Sequence, residues 1–385
     1  MPGKLRILVV DDSVVVRRML SGMLSSHHAV EAVATASNGK IALARIPQIN
    51  PDAIILDVEM PEMDGLQTVA AIRRLNRTLP IIMFSTVTAR GAAATLDAIA
   101  LGANDYVTKP STRSGTVGQL GLVYKDLVDK ILAHTHFDTS TVNDSSGDRP
   151  SAAGAPHLVL PPSMVSTGLY PPAPSAPGPI EAIAIGVSTG GPNALAVLLP
   201  SLPTDLSVPV FIVQHMPRLF TKLLAERLSS KAQIPVTEAS PGDVALAGRV
   251  FVAPGDYHMT VKRIGLKVVV QTNHDIQENS CRPSVDPLFR SMADTYGARV
   301  LGVIMTGMGQ DGLRGCEAIR ARGGQVIAQD EATSVVWGMP GFVARAGLAD
   351  KVVPLSELGA EIVRRTRKAE TPARVRTLTT AGASL

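Results

Sequence analysis

The sequence predicts an α/β protein built as two separate domains. Three observations carry that expectation. Short β-branched apolar runs with little polar alternation recur along the chain, the mark of parallel strands covered on both faces. Helical stretches fall between them. A Ser- and Pro-rich segment near 134–179 then interrupts the pattern before it resumes. At 385 residues and 45% hydrophobic, the chain is long and apolar enough for two cores.

In the first domain, 1–133, the strand candidates are Leu5–Val10, Ala29–Ala34, Ala53–Leu56, Ile81–Phe84 and Asp105–Val107. Helices are expected near 14–25, 38–46, 65–75, 90–101 and 117–133, with Ser13, Asn38 and Asp64 as N-caps. Five βα units in about 130 residues make a five-stranded doubly wound sheet. The second domain, 180–368, offers strands at Ile183–Val187, Val210–Gln214, Val250–Ala253, Val300–Met305 and Gln325–Ala328. Helices are expected near 192–200, 217–230, 285–296 and 311–322. Tyr257–Val261 and Leu266–Gln271 read as an antiparallel hairpin turning at Ile264-Gly265, so this domain is α/β with a mostly parallel sheet plus a hairpin. Residues 369–385, rich in Thr, Ala and Gly, read as a disordered tail.

Composition excludes several function classes. Lys and Arg number 37 against 33 Asp and Glu, and aromatics are 3%, so no basic, aromatic-studded stripe for nucleic acid is present. Two cysteines 35 residues apart, Cys281 and Cys316, match no zinc spacing and no disulfide framework, which points to a reducing cytoplasm. No run has the length and flanks of a signal peptide or the length of a membrane span.

Carboxylates gather at the strand ends of the first domain. Asp11 and Asp12 follow the first strand and Asp57 ends the third, a grouping whose mutual repulsion a hard cation such as Mg²⁺ relieves. Ser85 ends the fourth strand and Lys109 follows the fifth, which suits a phosphoryl group on Asp57. The segments Val9–Ser13, Leu56–Gly65, Ser85-Thr86 and Tyr106–Pro110 together resemble the receiver domains of response regulators. That resemblance implies Asp57 as phosphoacceptor and Mg²⁺ held by Asp11, Asp12, Asp57 and the backbone carbonyl of Glu59. It further implies Ser85 and Lys109 as sensors of the phosphoryl group and Tyr106 as an aromatic that shifts on activation.

In the second domain, Gly186-Val187-Ser188-Thr189-Gly190 fits G-x-S-x-G on a strand-to-helix turn, with Pro192 suited to the first helical turn. Such a turn could also cradle a nucleotide, although the Walker lysine and the G-x-G-x-x-G spacing are missing. His215 just past the second strand and Asp311 just past Ile304-Met305 tip the reading toward a nucleophilic triad, in the order Ser, His, Asp rather than the α/β-hydrolase order. His258 and His274 stand as substrate-groove candidates. Here Ile185–Pro192, Gln214–Pro217, Ala253–Gly255, Arg282–Asp286 and Met305–Gly312 resemble the catalytic domain of chemotaxis-type protein-glutamate methylesterases.

That second resemblance implies hydrolysis of glutamyl methyl esters on chemoreceptor helices, deamidation of receptor glutamines, and no cofactor in the esterase site. It implies Met308 as an oxyanion donor, with Thr189 lining the site. Arg282 is read either as a contact for an acidic receptor helix or as a satisfied surface arginine. Expected partners are methylated receptors and a chemotaxis-type histidine kinase, with peripheral association to membrane receptor arrays, no insertion and no nucleic acid. The rival readings are a DNA-binding response regulator, for which no basic helix-turn-helix is present, and a non-catalytic scaffold on receptor arrays.

Overall fold

The computed structural model describes residues 4–110, 117–135, 137 and 179–367. All but the edges of the 134–179 segment, and the whole 369–385 tail, lie outside the described residues.

The first domain is a five-stranded parallel sheet in the order β2-β1-β3-β4-β5, comprising β1 (Leu5–Val10), β2 (Val30–Ala36), β3 (Ala53–Asp57), β4 (Ile81–Ser85) and β5 (Asp105–Thr108). Five helices flank it: α1 (Val14–Ser25), α2 (Gly39–Ile49), α3 (Gly65–Leu75), α4 (Ala89–Ala100) and α5 (Val117–His134). Ser13, Asn38 and Asp64 are the N-caps of α1, α2 and α3, each accepting a backbone N–H at the third helical position. Asp64 and Gln67 close a capping box. Helix α2 runs past its expected end, through Pro47 to Ile49.

The second domain holds seven parallel strands in the order β14-β13-β12-β6-β7-β9-β8. These are β6 (Ala182–Val187), β7 (Val210–Gln214), β8 (Val236–Glu238), β9 (Val250–Val252), β12 (Val300–Ile304), β13 (Gln325–Gln329) and β14 (Lys351–Val353). Its helices are α6 (Gly191–Leu198), α7 (Arg218–Lys231), α8 (Val285–Tyr296), α9 (Leu313–Ala321), α10 (Met339–Arg345) and α11 (Leu355–Thr366). The hairpin strands β10 (His258–Ile264) and β11 (Lys267–Asn273) form a sheet of their own, so the large sheet is parallel throughout. The turn lies one residue later than expected, at Gly265-Leu266, because Gly265 takes the left-handed conformation (φ 58°). The edge strands β8 and β14 have three residues each, too few for any periodicity to mark them.

The domains pack together through α4 and α7. Leu96, Ile99 and Tyr106 from the first domain join Phe220, Leu224 and Leu228 from the second in one continuous buried cluster. Tyr106 stacks on Phe220 with ring centroids 4.7 Å apart and planes 10° from parallel, a pairing that adds about 1 kcal/mol beyond the area buried. At the rim, Arg227 Nη2 pairs with Asp97 Oδ1 at 2.6 Å. Among the described residues no helix is long and apolar enough to cross a membrane.

Candidate active site

Strand order places the chemistry of the second domain. β6, the first strand of this domain, lies at the centre; the chain builds β7, β8 and β9 on one side of it and later crosses back to lay β12, β13 and β14 on the other. At such a switch point the carboxyl ends of the strands open a crevice. Ser188, His215 and Asp311 all follow the carboxyl ends of these three neighbouring strands.

Parallel register sets Ser188 and His215 side by side. Val187 is paired with Gln214, and the next residues lean together through His215 N–H donating to Val187 O. Ser188 N–H donates to Thr306 O at 3.0 Å, tying its turn to the strand on the other side. Gly307 makes this approach possible, since a Cβ there would stand 2.8 Å from Ser188 Cβ. The buried Gln214 side chain braces the turn, donating from Nε2 to Ser188 O at 3.0 Å.

The three side chains converge. His215 Nδ1 lies 3.1 Å from Ser188 Oγ, and His215 Nε2 lies 2.7 Å from Asp311 Oδ2. The carboxylate assigns the ring proton to Nε2, which leaves the Nδ1 lone pair facing the hydroxyl. This is the arrangement a nucleophile, general base and orienting acid require.

Asp311 is held from every side. Oδ2 also accepts from Val285 N–H at 2.7 Å; Oδ1 accepts from Ser284 Oγ at 2.7 Å, Asn279 Nδ2 at 2.9 Å, Gly312 N–H at 3.0 Å and Asp286 N–H at 3.2 Å. Two of these donors form the first turn of α8, whose dipole favours an anion there. Burial pushes the Asp311 carboxyl up, but His215 and these donors outweigh it and hold its pKa below the ordinary value. For His215, burial alone would lower the pKa; bonds to Asp311 and Cys281 outweigh it and raise the value.

Several of these partners escaped the sequence reading. Cys281, noted only as an unpaired cysteine, places Sγ 3.5 Å from His215 Nδ1. Ser284 lies inside the Arg282–Asp286 motif and Asn279 just before it, yet no periodicity or spacing ties them to a carboxylate 27 to 32 residues away. His258 is corrected from groove residue to buried support. It is 1% exposed, Nδ1 accepts from Ser284 N–H, and Nε2 faces Ile276 O at 3.0 Å. His274 is exposed and packs on Tyr257.

A cleft of about 810 Å³ opens over Ser188, lined also by Thr189, Met308, Cys281 and Arg282. Arg282 spends its guanidinium on Asp256 Oδ1 and on the carbonyls of His274 and Asp275. The other wall comes from the first domain, with Tyr106, Leu122, Asp126 and Asp129 contributing. Cys281 borders this cleft, whereas Cys316 is fully buried. Iodoacetamide is therefore expected to modify one cysteine and silence hydrolysis, with Cys281→Ala resistant. Loss of activity at the same rate in that variant would show the reagent acts elsewhere.

In the first domain, carboxylate oxygens of Asp11, Asp12 and Asp57 lie within 4.8 Å of one another. This hard-oxygen set fits a divalent cation such as Mg²⁺. The Glu59 carboxylate pairs with Arg90 at 3.3 Å. Lys109 Nζ bridges Asp11 and Asp57 at 2.8 Å each. Burial raises the Asp57 pKa to about 6 against the pull of Lys109. Ser85 is fully buried and donates to Gly91 O at 3.2 Å, at the start of α4.

The chain is also similar to known proteins. Residues 183–362 match the family described as CheB methylesterase, and residues 7–118 match the response regulator receiver domain. A protein-glutamate methylesterase/protein-glutamine glutaminase of Trichodesmium erythraeum is 51% identical over 94% of this chain and 99% of its own length. One of the same name from a Nocardioides species is 47% identical over 95% and 96%. Among solved structures, the Thermotoga maritima CheB methylesterase catalytic domain is 39% identical, covering 49% of this chain and 99% of its own, with a TM-score of 0.48.

Proposed function

This chain belongs to the protein-glutamate methylesterase/protein-glutamine glutaminase family, and from that premise we propose how its residues perform and regulate the reaction. The enzyme hydrolyses glutamyl methyl esters to glutamate and methanol and deamidates glutamine side chains. The observation that carries the residue roles is the continuous contact from Ser188 Oγ through His215 to Asp311.

Ser188 Oγ attacks the ester carbonyl while His215 Nδ1 takes its proton, and Asp311 stabilises the imidazolium that forms. The imidazolium then protonates departing methanol, or ammonia when the substrate is an amide. Water, activated by the same imidazole, releases the glutamate from Ser188. The Met308 N–H serves the oxyanion, with Thr189 beside it. No cofactor takes part at this site. Methylated chemoreceptor helices are the substrates, reached from the cytoplasm by peripheral association with receptor arrays. The scaffold alternative is set aside, because relatives spanning nearly the whole chain carry an enzyme's name.

Control comes from the first domain. Asp11, Asp12, Asp57 and the Glu59 carbonyl would hold Mg²⁺, which supplies charge neutralisation for phosphoryl transfer from a histidine kinase to Asp57. Lys109 and Ser85 then meet the phosphoryl group. Tyr106 couples that pocket to the esterase, since its ring rests on Phe220 in the first turn of α7, five residues beyond His215. The resting receiver roofs the cleft, and phosphorylation shifts a two-state interface toward the open form. Methanol release from methylated receptor should rise when a small phosphodonor is added. An unchanged rate with Asp57 demonstrably phosphorylated would sink the gating.

A further inference from the structure

Between the hairpin and α8 runs a tight turn, Glu278 to Cys281, closed by Cys281 N–H donating to Glu278 O at 2.9 Å. Its two central residues, Asn279 (φ 53°) and Ser280 (φ 60°), both take the left-handed conformation without being glycine. Such backbone persists where surrounding contacts over-determine it, and it marks functional sites. The contacts are present. Glu278 is held by a bidentate pair from Arg290 of α8, at 2.5 and 3.0 Å. Cys281 reaches the imidazole of His215.

Asn279 lies between these anchors. Its Nδ2 donates to Asp311 Oδ1 at 2.9 Å and to Asp286 Oδ2 at 2.9 Å. Asp286 is 1% exposed and takes no part in the reaction described above. Its other oxygen accepts from Gly315 N–H at 2.7 Å, which fixes it against α9. Two buried carboxylates therefore stand on either side of one amide group, which offers a hydrogen to each. Without that amide, like charges would face each other across the space it fills.

We infer that Asn279 is a positioning residue of the hydrolysis: its amide bridges Asp311 and Asp286 and so keeps Asp311 in register with His215 Nε2. The titratable and charged side chains facing this pair are His215 from the end of β7, Glu278 and Cys281 from the turn, and Arg290 from α8. Removing a donor concentrates negative charge on Asp311, which favours the imidazolium and moves the acid limb of the pH profile to higher pH. Adding a third carboxylate moves it further.

The inference rests on Ser188, His215 and Asp311 being the triad. Asn279→Gly keeps the left-handed turn and removes the amide; Asn279→Asp keeps the size, tolerates the same backbone and replaces donor by acceptor. With methylated receptor and the phosphorylated full chain, Asn279→Gly should lower kcat about tenfold, the scale of one charge-assisted hydrogen bond, with KM unchanged. The acid limb of kcat/KM should move upward in the order parent, Gly variant, Asp variant. An unmoved limb, a kcat within twofold of the parent, or a raised KM at unchanged kcat would overturn the inference, the last by making Asn279 a substrate contact. Should the Gly variant not fold, the Asp variant carries the same test. A null result here, beside an inactive Ser188→Ala, leaves the triad intact and removes only Asn279; an active Ser188→Ala removes the triad itself.

Discussion

Replacing Ser188 with alanine is expected to abolish methanol release while Asp57 is still phosphorylated at the normal rate. Ser188 Oγ meets the free lone pair of His215 Nδ1 at 3.1 Å, so without it the imidazole has no hydroxyl to activate; the other neighbour of that nitrogen, Cys281 Sγ, stands farther off at 3.5 Å. The loss should reach at least about a thousandfold, on the order of 4 kcal/mol of barrier, because positioning and oxyanion donors remain while covalent chemistry does not. The fold should hold. The half-buried side chain loses one oxygen, whereas its turn is fixed by backbone bonds to Thr306 and Gly191 and by Gln214. Methanol assays beside phosphorylation assays separate the outcomes, and retained turnover would refute Ser188 as nucleophile.

The second large effect is a pH dependence displaced to the alkaline side. His215 acts as a base only when neutral, and Asp311 and Cys281 raise its pKa above the ordinary 6.5. Below that raised value, kcat/KM should climb about tenfold per pH unit, continuing through neutrality rather than levelling there. Stability runs the opposite way. A raised histidine contributes stability that is complete below its unfolded pKa and is lost as pH rises through the folded one. Asp311, with its pKa held below 3.8, contributes stability present above that value and lost as pH falls through the depressed one. The charged pair therefore supports the fold between these limits, and catalysis gains as the upper limit is approached. Removing one of the raising partners, with Cys281→Ala, should move the kinetic limb to lower pH. A parent profile already flat at pH 7 would show that His215 is not lifted.

Much of the fold was legible because its strands are buried on both faces and its helices carry caps. The continuous apolar run Ile54-Ile55-Leu56 announces a central parallel strand, and Asp64 followed by Gln67 announces the start of α3. What stayed hidden was short or non-local. β8 and β14 are edge strands whose existence depends on a neighbour's unpaired backbone, and α10 is seven residues long with Pro340 in its first turn. His258 shows the limit for side chains. As a letter in a hairpin it is indistinguishable from a groove residue; only packing against Ser284 and Ile276 buries both its nitrogens.

By itself the sequence pointed to the groups proposed to do the chemistry, Asp57 in one domain and Ser188, His215 and Asp311 in the other. Nucleophile, base and acid each need a fixed residue type at a strand end, and strand ends are marked by local apolar runs. The tertiary structure alone decided how those groups are held. The bridge from Asn279 to Asp311 and Asp286, the thiol of Cys281 beside His215, and the stack of Tyr106 on Phe220 join residues from 7 to 114 positions apart. Most of these partners come from separate elements, and only the packing of the strands and helices between them brings them within hydrogen-bond or ring-stacking distance.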